Sequence, residues 1–118
     1  MVGLFLAFRQ LRLSRRIAQM QFEDGLSREY RDIAGKLSKT ALMGQKLTDA
    51  EREEHFDEFY RYFDLSNEQI FLRMQGRVST ATWGNWCSGI RAMLNRTAFK
   101  ETWQEILGYP RHGFDELA

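Results

Sequence analysis

Glu51, Glu54, His55 and Glu58 form the one polar cluster whose residue types and spacing could do chemistry. Glu51, His55 and Glu58 fall on one helical face, so a single metal ion could touch two of them. Di-iron four-helix bundles, however, repeat Glu-x-x-His on two helices and add further glutamates. Here Arg52 stands three residues before His55 and no second copy of the motif occurs, so a solvated acidic face is the expected reading. Cys87 has no His or Asp beside it in sequence and shares a helical stripe with Trp83 and Ile90, which suits a buried, inert thiol. His112 lies between Pro110 and Gly113 in an expected loop beside Arg111, and no partner for a general base is identifiable. The chain carries no Gly-rich phosphate loop, nucleophile elbow or paired zinc-ligand spacing. Neither an enzyme nor a cofactor or metal is expected.

The remaining candidates are surfaces. Trp83 and Trp103 sit on stripes with aliphatic residues and belong to a core; Trp86, one turn from Trp83, is the tryptophan expected at its edge as a contact surface. The chain opens on an apolar run, Val2 to Phe8, and then turns basic with Arg9, Arg12, Arg15 and Arg16 before the first acid at Glu23. Those arginines admit three partners. They could be the cytoplasmic flank of a spanning helix that begins upstream of Met1, since positive charge is retained inside. They could form the polar face of a helix lying on anionic lipid. They could also bind nucleic-acid phosphates, the least favoured option because no reading module accompanies the charge. Phe5, Leu6, Phe8, Leu11, Leu13 and Ile17 spread around most of the helix, which favours insertion or burial in a partner over simple surface binding. An apolar run of this length cannot span a bilayer, for which about 20 residues are needed. A secretory signal places its positive charge before the apolar segment, the reverse of the order here.

The elements that must position these residues are read as helices. The 118 residues suit one domain, and nine Phe, three Trp, four Tyr and five Met supply its core. Charge is uneven: residues 1–42 carry eight basic and four acidic groups, and residues 43–64 carry three and seven. That asymmetry suggests two antiparallel neighbours, or alternatively an exposed basic surface. With a single cysteine no intrachain disulfide can form, and a cytoplasmic setting is expected. Apolar spacing from Leu4 predicts a first helix to about Phe22, interrupted at Gln10, with a continuation through Gly25 and Gly35 as far as Leu42. Residues 43–47 read as a turn. Thr48 and Glu51 then match a capping box. The second helix carries Phe56, Phe59, Tyr60, Phe63, Ile70, Phe71 and Met74, with a kink at Asp64–Asn67 and a stop at Gly76. Ser79 or Thr80 caps a third, and Thr97 a fourth that ends at Gly108.

The stretch Thr82, Trp83, Gly84, Asn85, Trp86, Cys87, Ser88, Gly89, Ile90, followed by Phe99 to Trp103, resembles a group of small uncharacterised bacterial proteins. Phe59-Tyr60-Arg61-Tyr62-Phe63 resembles the aromatic helix that precedes this pattern in the group. The likeness covers roughly residues 50–117. It implies one N-terminal membrane helix, a basic helical stretch and a cytosolic helical domain of unknown function, and it supplies no catalytic residues. This chain departs from the group in lacking most of the membrane helix.

The expectation is therefore an all-α protein of about four helices: an N-terminal helical part, 1–42, and a bundle, 48–118. It would act as a non-enzymatic, membrane-proximal interaction or scaffold module at the cytoplasmic face of the inner membrane. Self-association would use a short seam of Leu6, Leu13, Ile17 and Met20. The alternative is a soluble nucleic-acid-associated regulator using Arg9, Arg12, Arg15 and Arg16.

Overall fold

The computed structural model describes residues 2–118, which form six α-helices and, among the described residues, no strand. They are α1 (Val2–Lys36), α2 (Lys39–Leu42), α3 (Asp49–Glu54), α4 (Phe56–Met74), α5 (Thr80–Leu94) and α6 (Thr97–Leu107). The count exceeds four because two expected helices are each divided. The first is unbroken through Gly25 and Gly35 but stops at Lys36, where buried Leu37 turns inward. Ser38, with ψ 130°, redirects the chain so that α2 buries Ala41 beside α6. The second bends at His55 (φ −101°, ψ 13°), although Phe59 N–H still bonds the His55 carbonyl at 3.2 Å.

No break occurs at Asp64–Asn67. Ser66 satisfies its hydroxyl within α4 by donating to the Tyr62 carbonyl at 3.0 Å. Asn67 turns its amide outward and clips the C-terminal turn, donating to Glu116 and accepting from the Leu117 N–H, both at 2.9 Å. The buried face of α4 also differs from the expected stripe: it comprises Phe59, Tyr62, Phe63, Leu65, Ser66, Gln69 and Leu72, while Phe71 and Met74 face solvent. Gly76, at φ +73°, ends the helix as expected; its N–H bonds Arg73 O, and the Arg77 N–H reaches back to Leu72 O. This is the paired 5→2 and 6→1 closure of a Schellman motif, which glycine adopts without a Cβ penalty.

The core is aromatic. Phe99 of α6 meets the edges of Phe59 (5.0 Å), Tyr62 (5.4 Å) and Phe63 (6.5 Å), all near perpendicular. Trp103 bridges Phe63 to Phe114 at 5.1 and 5.7 Å. Edge-to-face pairs of this kind contribute about 0.5–1.5 kcal/mol each beyond area burial. From the 1–42 part the core takes Leu26, Ile33, Leu37 and Ala41. Among the described residues nothing before Gln19 is even half-buried, so the outer half of α1 projects from the bundle. Its length explains the 67 × 29 × 20 Å extents and the 18.2 Å radius of gyration. A compact chain of this size would have a radius of about 13–14 Å.

Candidate functional site

Two features separate this molecule from a plain bundle: the projecting half of α1 and a cleft at its base. Residues 2–18 rise about 25 Å at 1.5 Å per residue, and every one of them is exposed. Eight are large and apolar, among them Leu6, Leu13 and Ile17 at 50%, 57% and 46% exposure; Met20, at 57%, lies just beyond. At about 100° per residue, Leu6, Leu13, Ile17 and Met20 fall within an arc of roughly 60°. Arg9, Arg12 and Arg16 occupy a second arc of similar width, with Arg15 beside it. Among the described residues none of the four arginines forms an ion pair. The charge asymmetry therefore does not hold α1 to the acidic stretch. Among the described residues the one bridge between those segments, Arg61 to Asp32 at 3.8 Å, has the opposite polarity.

The base of the arm is stitched to the start of α5 by three side chains spaced one turn apart. Gln19 Nε2 donates to the Arg77 carbonyl at 2.8 Å. Glu23, only 7% exposed, accepts from Ser79 Oγ (2.9 Å), Ser79 N–H (3.3 Å) and Thr82 Oγ1 (3.0 Å). Ser27 Oγ accepts from Trp86 Nε1 at 3.3 Å. Burial raises the Glu23 carboxyl, but the hydrogen bonds from Ser79 and Thr82 together outweigh it and hold the group below its ordinary value. Ser79 itself caps α5 by accepting from the Thr82 N–H, so Glu23 extends that cap from a distant element.

Beside this stitch, α1, α4 and α5 enclose a cleft of about 480 Å³. Tyr30, Tyr62, Gln69, Trp86 and Gly89 are among its walls, and Asp24 and Arg31 stand at its rim. Trp86, expected at the core edge, is half-buried here, packing on the core while lining the cleft.

The chemistry candidates of the sequence lie elsewhere and do not converge. Glu51 closes the capping box, accepting from the Thr48 N–H at 3.1 Å, and that bond, with the Thr48 side chain, lowers its pKa. Among the described residues no three His, Cys, Asp or Glu side chains are grouped to hold a metal. His112 accepts from the Phe114 N–H through Nδ1 at 3.0 Å and stacks on the Phe114 ring, which orders the C-terminal turn. Cys87 is half-buried and free. Arg52, whose side chain is 16% exposed, ties α3 to α6 through Glu105 (3.2 Å) and Glu101 (3.6 Å) while pairing with Asp49 at 2.9 Å.

Sequence reasoning missed Glu23 and Gln69. Glu23 shares a helical face with Leu26 and Tyr30, and Gln69 stands in the row Leu65, Gln69, Leu72. A polar residue inside an apolar row was the available signal in both cases.

Among the described residues no helix is long and apolar enough to cross a membrane. In comparison with known proteins the chain matches no family model, and no curated protein or solved structure matches it.

Proposed function

We propose that the chain is a non-enzymatic interaction module that pairs with a second copy of itself through the exposed half of α1, at a membrane face. The observation that carries this reading is the run of 17 exposed helical residues, 2–18, eight of them large and apolar. A contiguous apolar surface of that kind marks an interaction site rather than a tolerated exposure. Counted in heptads, Leu6, Leu13 and Met20 take d positions and Gln10 and Ile17 take a positions, so one polar residue interrupts an apolar seam. A lone polar a residue sets register and strand number at some cost in stability. The apolar tip, Val2 to Phe8, reaches the acyl boundary in this arrangement, while Arg9, Arg12, Arg15 and Arg16 meet anionic headgroups.

Sedimentation equilibrium of the full chain tests the pairing. A dimer is expected, with Leu13→Glu monomeric and unchanged in helicity; a native chain that stays monomeric at the highest attainable concentration overturns it. Flotation with phosphatidylserine and phosphatidylcholine vesicles tests the membrane part. Recovery should depend on the anionic lipid and fall with salt. Salt-dependent binding to duplex DNA without any vesicle recovery would instead favour the nucleic-acid alternative.

A further inference from the structure

The cleft at the base of the arm is independent of that reading. We propose that it binds a small planar molecule presenting an adjacent hydrogen-bond donor and acceptor, the edge shared by nucleobases and carboxamide-bearing rings. Gln69 carries the argument. It is 5% exposed, it lines the cleft, and among the described residues its amide makes no hydrogen bond. The amide opens onto the cleft rather than into the sealed core, where among the described residues Arg52 Nε alone is buried without a partner, so the amide's donor and acceptor are accessible to a ligand. The Gln69 amide offers an N–H donor and a carbonyl acceptor side by side, a pair that engages the N6/N7 edge of adenine or a carboxamide in two parallel bonds.

The rest of the cleft fits a flat ring. Tyr30 and Trp86 present aromatic surface to it from α1 and α5, and both are held in place. Tyr30 packs on Tyr62 with centroids 6.1 Å apart, and Trp86 is fixed by its bond to Ser27. Gly89 leaves the α5 wall open, with nothing within 4 Å of where its Cβ would lie. Burial pushes the Tyr62 hydroxyl up to about 12, so this buried phenol keeps its proton and adds a neutral polar group. The volume of about 480 Å³ lies within the range of roughly 300–1,000 Å³ usual for small-ligand sites with few polar groups. Glu23 and Asp24 on this side, with Arg31 as the one cation, disfavour a phosphorylated ligand. The uncharged ring is the part recognised.

The test is titration of the full chain with adenine, nicotinamide and indole, followed by the indole N–H resonance of Trp86, which Trp86→Phe assigns. Adenine or nicotinamide should shift it saturably, and indole, which is planar but has no ring acceptor, about tenfold more weakly or not at all. A response to adenine alone identifies a purine-type edge, to nicotinamide alone a carboxamide, and to both the shared edge. Gln69→Leu should weaken binding by roughly tenfold while keeping or raising Tm. Gly89→Leu, on an exposed helical position, should block the cleft without disturbing the fold. No saturable shift from either probe, or undiminished binding by both variants, overturns the proposal. The oligomeric state of the chain is unaffected by either result, so this test and that of the pairing fail separately.

Discussion

Glu23 joins two distant parts of the chain with one carboxylate, and its energetics are separable by pH. Removing it in Glu23→Ala deprives Ser79 and Thr82 of a charged acceptor, which should cost about 1.5–3 kcal/mol, the range for hydrogen bonds to charged groups. Its pKa in the folded chain is depressed below 4.5, so the unfolded state binds the proton more readily. The contribution is therefore fully present above pH 4.5 and is lost as pH falls through the folded value. The measurement is the difference in Tm between the native chain and Glu23→Gln, followed from pH 7 down to acid. That difference should shrink below about pH 4.5. A difference that grew towards acid would contradict the hydrogen-bonded anion. Asp49 and Glu51 are depressed in the same direction but retain their charge in Glu23→Gln, so they cancel from the comparison.

At the scale of elements, glycines with different backbone geometry should respond with opposite signs. Gly76, at φ +73°, closes the Schellman turn of α4, and Gly76→Ala should destabilise by about 1–2 kcal/mol through left-handed strain. Gly25 lies inside α1 with open space around its Cβ position, so Gly25→Ala should stabilise by about 0.4–1 kcal/mol. Thr48→Ala should cost about 1 kcal/mol by opening the capping box. Chemical denaturation of the three variants measures all of these. Such local features were legible beforehand because each is encoded within a few residues: Thr48 with Glu51, Ser79, and Gly76 after an apolar row. What the sequence did not show is set by tertiary contact. The stop at Lys36 follows from Leu37 and Ala41 turning into the core. The uninterrupted α4 depends on Asn67 finding Glu116 and Leu117, about fifty positions away. Thr97, expected as the cap of the fourth helix, is instead the first residue of α6, and Arg96 occupies the cap and offers no side-chain bond. The aromatic core was readable by residue type, but the exposed side of α4, with Phe71 and Met74, was not, because periodicity alone does not say which of two apolar arcs meets α1 and α6.

Across the whole molecule, the direction of the proposed pairing follows from charge placed beside the seam. Arg9 and Arg16 occupy g positions of the heptads that put Leu6, Leu13 and Met20 at d. An antiparallel pair would set these arginines against their own copies, like charge against like. A parallel pair sets them beside Ser14 and Gln21 at the facing e positions, where no repulsion arises. Parallel pairing also places both bundles at one end and both apolar tips at the other, which lets two tips reach one lipid surface. The seam has a natural limit, since Asp24 and Ser27 take the next a and d positions and Ser27 is committed to Trp86. Parallel, in-register packing brings each Leu6 opposite its copy. In a Cys87→Ala background, Leu6→Cys should therefore oxidise efficiently to a disulfide-linked dimer, as should Leu13→Cys, while a mixture of Leu6→Cys and Met20→Cys chains should yield little of the crossed species. Antiparallel pairing centred on Leu13 would reverse the outcome, with the Leu6–Met20 product dominant. Because Leu6, Leu13 and Met20 are all exposed, replacing them should not move the Tm of the Cys87→Ala bundle, and a large shift would mean that the arm folds back onto it.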